Sequence, residues 1–269
     1  MATQSSWISP LAKTGYAAKG VVYAIIGVLA AMAAFGGGGG KTTDSGGALQ
    51  TIENIPFGNV LLVVVGIGLA CYSVYRLLGA FVDLEGEGDD GKGLAKRLAY
   101  LGSGLAYAAL AMAALTGLAG GGGGGGENES RDITAKVLGM PGGAWIVGLV
   151  GVGIAVGGIQ QWRKAATGAY RWKFQLEGAA AQRRKLIDRV AKLGLAARGL
   201  VFLIIAFFLV KAAMESDPSE TKGLGGALDT LAGQPYGPWL LGITAIGLVC
   251  YGIYCWIIAA YGTFRPRAA

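Results

Sequence analysis

The chain has 269 residues, of which 53% are hydrophobic and 14% are charged, with a formal net charge of +7 and no histidine. Soluble domains carry about 25% charged residues, so this composition and a mean hydropathy of +0.51 favour a membrane protein. The absence of histidine excludes His-ligated haem, His-containing zinc sites, Ser-His-Asp triads and histidine proton relays.

Six apolar stretches approach the length of a membrane span, which needs about 20 mostly apolar residues. In chain order we predict spans at 17–35, 59–82, 98–119, 144–160, 195–214 and 238–261. The first stretch also resembles a cleaved signal peptide. Because it has a close copy later in the chain, we predict that it is a retained helix.

Lysine and arginine are distributed unevenly between the two sides of these spans. With the N-terminus placed in the cytoplasm, 18 of the 23 cations lie on the cytoplasmic side. Cytoplasmic loops of membrane proteins carry such an excess. We therefore predict a multi-pass membrane protein with both termini in the cytoplasm.

An internal repeat is the strongest pattern in the sequence. A shift of 179 residues aligns 12–80 with 191–259 without a gap, and 28 of the 69 positions are identical. In a weaker middle copy, Ser103 replaces the cation of the first span, and Gly157 and Gln160 replace two tyrosines. Each copy holds two spans, so the copies run parallel, and three of them predict a pseudo-threefold bundle.

The predicted fold is an all-α integral membrane protein whose six transmembrane helices form three parallel helical-hairpin repeats. We assign 1–93 to the first repeat, 94–168 to the second, 169–189 to a basic cytoplasmic connection and 190–269 to the third repeat. On the outer side, three segments with apolar residues at helical spacing each end in a proline. We predict short surface helices there, at 46–56, 133–141 and 225–235.

The repeated motifs resemble those of a known bacterial membrane family. The opening stretch 13–23, the Gly-Gly-Ala-Leu block, the Pro-x-Gly motif and the Gly-x-Gly-Leu-x-Cys-Tyr-x-x-Tyr tract are similar to those of the domain of unknown function 1206. The resemblance implies three two-helix repeats over nearly the whole chain. It implies no activity.

Charged and tyrosine side chains within the spans are the candidates for a polar site. Lys19 and Arg198 share one repeat position, and they either anchor a lipid phosphate or substrate or snorkel to the interface. Arg76 lies inside the second span, as functional ionisable residues do, but within snorkelling reach of its polar end. The recurring tyrosines either line a polar pocket or fix helix packing; they are Tyr23, Tyr72, Tyr75, Tyr107, Tyr251 and Tyr254, with Phe202 in place of the third copy's first tyrosine.

The connection between the fourth and fifth spans is strongly basic. We predict that its second half, 179–193, is a helix docked on anionic lipids of the inner leaflet; a pure orientation signal is the alternative. The cations of this basic patch are Arg171, Lys173, Arg183, Arg184, Lys185, Arg189 and Lys192. No recognised nucleic-acid-binding module accompanies them, so we expect no nucleic-acid partner.

The glycines of the chain fall into two groups. In the fourth span, small residues at close spacing favour tight helix packing; they are Gly151, Gly153, Gly157 and Gly158. The runs 36–40 and 120–126 follow membrane helices rather than strands, so we predict flexible linkers instead of phosphate-binding loops.

Three classes of function remain. We favour a non-catalytic scaffold or accessory subunit that binds membrane lipids, especially anionic inner-leaflet lipids, or a larger membrane complex. A small channel or transporter that uses the pseudo-threefold axis is the alternative, and it would gain if Arg76 and the tyrosines converged on one cavity. A membrane enzyme is a minor alternative, because no carboxylate lies within a span. We expect no catalytic residues, no metal site and no cofactor.

Overall fold

The computed structural model describes residues 7–35, 42–116 and 127–264. These residues form α-helices and short 3-10 helices, and no strand occurs among them. The α-helices are α1 (Ile8–Phe35), α2 (Ser45–Glu53), α3 (Gly58–Phe81), α4 (Gly91–Thr116), α5 (Glu127–Leu138), α6 (Gly143–Thr167), α7 (Ala179–Gln182), α8 (Arg184–Glu215), α9 (Leu224–Ala232) and α10 (Gly237–Tyr261).

Six of these helices, α1, α3, α4, α6, α8 and α10, are long and apolar enough to cross a membrane. The predicted six-span, all-α membrane fold is therefore confirmed. The first, third and fifth spans begin earlier than predicted, at Ile8, Gly91 and Arg184. Their backbone hydrogen bonds continue where the hydropathy has already dropped, because a helix needs no apolar side chains to extend. The predicted residues 117–119 and both glycine runs lie outside the described residues.

The spans pack in an order that follows the repeat. The most extensive helix contacts are those of α1 with α10, α3 with α4, and α6 with α8. The second span of each repeat thus lies along the first span of the next repeat. Within a repeat, α1 with α3 and α8 with α10 form a smaller, matching contact. The same pair of faces is used three times, as the pseudo-threefold prediction requires.

The middle repeat breaks this pattern. In the described part of the chain, α4 and α6 make no substantial contact with each other. Gly151 and Gly158 approach α8 closely, whereas Gly153 has open space beside it and Gly157 only the Phe202 ring at a distance. The predicted close packing therefore holds for two of these glycines, and the ring of helices is open between α4 and α6.

Short helices precede the second span of each repeat, at the three places where the sequence predicts them. The membrane-surface position of α2, α5 and α9 stays a prediction. A Pro-x-Gly motif then turns the chain, and its middle residue has a positive φ of 61° at Phe57, 76° at Gly142 and 64° at Tyr236. A Cβ on the glycine that follows would collide with backbone at the end of the short helix, so each turn requires that glycine.

The predicted surface helix over 179–193 does not exist as a separate element. The helix α7 ends at Gln182, and α8 begins at Arg184 and runs unbroken into the fifth span. Upstream, the Tyr170 and Phe174 rings are buried against Tyr254. Burying these aromatic rings stabilises a connection anchored on the end of α10 rather than one lying free on lipid.

Candidate functional site

Lys19 lies at the centre of a tyrosine cluster inside the bundle. Its side chain is 2% exposed, and its Nζ donates a hydrogen bond of 3.0 Å to the Tyr72 hydroxyl. The Nζ atom also lies 4.5–6.0 Å from five ring centroids, those of Tyr16, Tyr23, Tyr72, Tyr107 and Tyr251. These rings attract the ammonium in place of water. The Lys19 side chain is therefore buried in the bundle and does not snorkel to the interface.

Arg198 occupies the same repeat position on α8 and has a related environment. Its Cζ lies 4.4 Å from the Phe202 ring centroid, 4.8 Å from Tyr251 and 5.7 Å from Tyr23. Its Nε donates a hydrogen bond of 3.2 Å to the Tyr23 hydroxyl. The guanidinium is thus held between aromatic rings from three different spans.

The sites around these two cations are copies of one arrangement. Each cation meets a tyrosine of its own repeat's second span and another from the first span of the next repeat. These pairs are Tyr72 and Tyr107 at Lys19, and Tyr251 and Tyr23 at Arg198. In the middle repeat Ser103 and Gly157 stand where the cation and tyrosine belong, so this repeat lacks the side chains that fill the other two sites.

Arg76 also points into the bundle. Its Nε donates a hydrogen bond of 2.9 Å to the Tyr72 hydroxyl, and its Nη1 lies 3.5 Å from Glu85 Oε1. The Tyr75 and Tyr100 hydroxyls donate to the same carboxylate at 3.1 Å and 3.0 Å. Arg76 therefore joins the tyrosine cluster to Glu85, a partly buried acid in the loop that follows its helix.

The Glu85 carboxyl lies outside the spans and is held in its charged form. Burial by itself raises its pKa, but the positive charges of Lys173 and Arg76 and hydrogen bonds from Tyr100 and Tyr75 lower the pKa of Glu85 to about 2. Glu85 is therefore an anion at neutral pH and offsets part of the cationic charge.

The lowered pKa of Glu85 makes the stability of the fold depend on pH in the acidic range. A carboxylate with a lower pKa in the folded state stabilises the fold above its unfolded pKa, and this contribution is lost as the pH falls through the folded value. Between about pH 4.5 and about pH 2 we expect the melting temperature of the wild type to fall more steeply than that of Glu85→Gln. The control is Glu177→Gln, which removes an exposed glutamate. Equal slopes for the wild type and Glu85→Gln would contradict the prediction.

The cluster holds more basic than acidic side chains. Lys164 on α6 lies within electrostatic range of Arg76, Arg198 and Glu85. Among the described residues, no carboxylate forms an ion pair with Lys19 or Arg198. Because unpaired charge is costly in a low-dielectric interior, this arrangement is suited to binding an anion.

Sequence reasoning missed several members of this cluster. Tyr16 and Tyr100 are repeat equivalents, and this match could have identified them as members of the cluster. Glu85 and Lys164 carry no such signal, because they lie near the ends of spans where charges are ordinary. The predicted member Tyr254 lies at the edge of the cluster: its ring centroid is 6.0 Å from that of Tyr251, and it also packs against Tyr170 and Phe174 of the connection.

The residues of the predicted basic patch have different environments. Arg171 forms an ion pair of 2.6 Å with Asp188, and Lys173 is half-buried with its Nζ 5.3 Å from the Trp172 ring centroid. The remaining cations are exposed around the start of α8; they are Arg183, Arg184, Lys185, Arg189 and Lys192. We call these five the α8 basic surface.

Comparisons with known proteins agree with the repeat. The sequence model of the family described as Domain of Unknown Function (DUF1206) matches residues 14–83, 98–168 and 193–262. The chain is similar to the uncharacterized protein YxxB of Bacillus subtilis (strain 168), with 38% identity over 248 residues, which cover 92% of this chain and 89% of that protein. No solved structure matches the chain. The three matched stretches coincide with the three two-span units.

Proposed function

This chain belongs to the DUF1206 family, and we propose that it is a non-catalytic scaffold or accessory protein of the bacterial inner membrane that binds anionic lipids. In this proposal both termini lie in the cytoplasm, as the distribution of Lys and Arg favours. A larger membrane complex is the partner that an accessory role implies.

The observation that carries the proposal is the α8 basic surface. Its five cations are exposed, and none forms an ion pair among the described residues. The helix continues directly into a membrane span, so Arg189 and Lys192 stay within about two helical turns of the predicted start of that span. A cation held near an anionic leaflet contributes about 1 kcal/mol to lipid binding.

We propose a non-catalytic role because the Glu85 carboxylate, the acid that contacts the cluster, is already hydrogen-bonded and ionised. This carboxylate accepts hydrogen bonds from Tyr75 and Tyr100 and pairs with Arg76. Its pKa of about 2 makes it a weak base at neutral pH. Glu85 therefore serves as a counter-ion rather than as a general base.

Charge reversal of the α8 basic surface tests the lipid-binding proposal in the full-length protein. We expect the variant Arg183→Glu, Arg184→Glu, Lys185→Glu to retain about half or less of the phosphatidylglycerol that the wild type retains from an equal mixture with phosphatidylcholine. The loss should be larger at low salt, because salt screens exposed charges. The measurement is lipid mass spectrometry of protein reconstituted into lipid discs.

The matched control for this reversal is Lys136→Glu, which reverses an exposed cation on α5 at the opposite end of the bundle. Its retained lipid should equal that of the wild type. Unchanged phosphatidylglycerol in the triple variant at low salt would leave the cations with an orientation role only and would contradict the proposal.

One observation favours a small anion channel or transporter as the second candidate. Lys19, Arg76 and Arg198 converge with the tyrosines on the bundle interior. However, Lys19 and Tyr72 are 2% and 0% exposed, which suits retention of a ligand better than passage along the axis. Phosphate or chloride flux into proteoliposomes distinguishes the candidates: flux above that of empty vesicles would favour the transporter.

A further inference from the structure

We infer that Arg198 is the centre of an oxyanion-binding site inside the bundle, and that the occupant is the phosphate of an anionic lipid entering between α4 and α6. The inference rests on the proposed lipid-binding function. It adds an interior site that is separate from the α8 basic surface.

The first argument is the unused hydrogen-bonding capacity of Arg198. Its Nε donates to the Tyr23 hydroxyl, but among the described residues its two terminal nitrogens donate to no acceptor. The planar group lies near the Phe202 and Tyr251 rings, which restrict its orientation. A guanidinium fork fixed in this way matches two oxygens of a phosphate.

The second argument is the proximity of a second cation to the same rings. Lys19 Nζ lies 5.9 Å from the Tyr23 ring centroid and 5.6 Å from that of Tyr251. Arg198 Cζ lies 5.7 Å and 4.8 Å from these two centroids. Positive charges on both groups would repel each other in a low-dielectric interior. A bound anion would interact favourably with both charges and offset this repulsion.

The third argument is the position of the opening. The Phe202 ring that contacts Arg198 also faces Gly157, whose added Cβ would lie 3.8 Å from it. Gly157 lies on α6, on the helix that makes no substantial contact with α4 in the described part of the chain. Exposed apolar side chains flank it on the same helix, among them Val156 and Ile159. An occupant that enters there needs acyl chains as well as an anionic group, as a phospholipid has.

The test is ligand binding by the full-length protein, delipidated in mild detergent and followed by native mass spectrometry. The probes are dioleoyl phosphatidylglycerol, dioleoylglycerol (the same acyl chains without phosphate) and inorganic phosphate. We expect phosphatidylglycerol to bind, Arg198→Gln to weaken this binding about 10-fold or more, and dioleoylglycerol and inorganic phosphate to bind at least 10-fold more weakly than phosphatidylglycerol.

Three further variants sharpen the test. Lys136→Gln removes an exposed cation on α5, outside both the α8 basic surface and the interior site, and should change binding less than 2-fold. Arg198→Lys keeps the charge but loses the fork, and it should weaken binding about 3-fold or more even if Arg198→Gln fails to fold. Gly157→Tyr introduces the tyrosine that the other two repeats have at the equivalent positions, Tyr72 and Tyr251. Because this side chain would fill the opening, we expect it to weaken lipid binding in a folded protein.

Two results would overturn the inference. Wild-type affinity in Arg198→Lys would remove Arg198 from the site, and inorganic phosphate binding as tightly as phosphatidylglycerol would replace the lipid with a free anion. Failure of the proposed function is distinguishable from failure of this inference. In that case the charge-reversal variant of the α8 basic surface retains as much phosphatidylglycerol as the wild type, while Arg198→Gln still weakens binding.

Discussion

Replacing Tyr72 with phenylalanine is expected to lower the free energy of unfolding by about 2–4 kcal/mol through the loss of one oxygen atom. The Tyr72 hydroxyl accepts hydrogen bonds from Lys19 Nζ at 3.0 Å and from Arg76 Nε at 2.9 Å. The side chain is 0% exposed, so water has no direct route to replace the lost acceptor. The phenylalanine ring keeps the cation–π attraction, which isolates the contribution of the two hydrogen bonds.

The matched control is Tyr251→Phe at the equivalent position of the third repeat. Tyr251 is as well buried, at 4% exposure, and its ring contacts both Lys19 and Arg198. Its hydroxyl accepts no hydrogen bond from a cation in the described residues. We expect this control to change the free energy of unfolding by less than about 1 kcal/mol. Thermal unfolding in detergent measures both variants, and equal losses would contradict the assigned role of the Tyr72 hydroxyl.

Adding one methyl group at Gly15 or Gly194 is expected to destabilise the bundle by about 1–3 kcal/mol, because close helix packing leaves no space for it. These glycines are repeat equivalents on the first span of their repeats. A Cβ at Gly15 would lie 2.6 Å from Tyr72 Cα, and a Cβ at Gly194 would lie 2.5 Å from the Tyr251 backbone nitrogen. Since the obstructing atoms belong to backbone, each Gly→Ala change must push the two spans of its repeat apart.

The control for these substitutions is Gly102→Ala on α4, where an added Cβ meets no atom within 4 Å. Alanine favours a helix over glycine by about 1 kcal/mol, so this variant should be unchanged or slightly more stable. The measurement is the melting temperature of the three single variants in one detergent. Stabilisation of Gly15→Ala or Gly194→Ala to the level of Gly102→Ala would show that the spans do not pack as described.

The cation–tyrosine site shows how far the sequence predicts this molecule. The repeat alignment identified Lys19, Arg198 and most of the tyrosines, because equivalent positions recur after a fixed shift. The alignment did not decide whether the Lys19 and Arg198 side chains snorkel to the interface or point into the bundle. Glu85 was missed, since nothing in a polar loop indicates that its side chain folds back to meet Arg76.

The number of the spans and the parallel course of the three repeats were determined by the sequence itself. A bilayer demands internally hydrogen-bonded apolar helices of sufficient length, so hydropathy and a gap-free repeat are enough to identify six spans in three hairpins. The Pro-x-Gly turns were visible for a similar reason, because their backbone conformation requires particular residue types.

Only the tertiary structure decided which side chains meet. Arg198 reaches Tyr23 across 175 residues, and Lys19 reaches Tyr107 from the next repeat. The opening between α4 and α6 likewise follows from packing. In a membrane, apolar character drives a helix into lipid without selecting the face that it turns to its neighbours. That choice depends on close fit and on pairing of buried polar groups between helices, which no local pattern in the chain specifies.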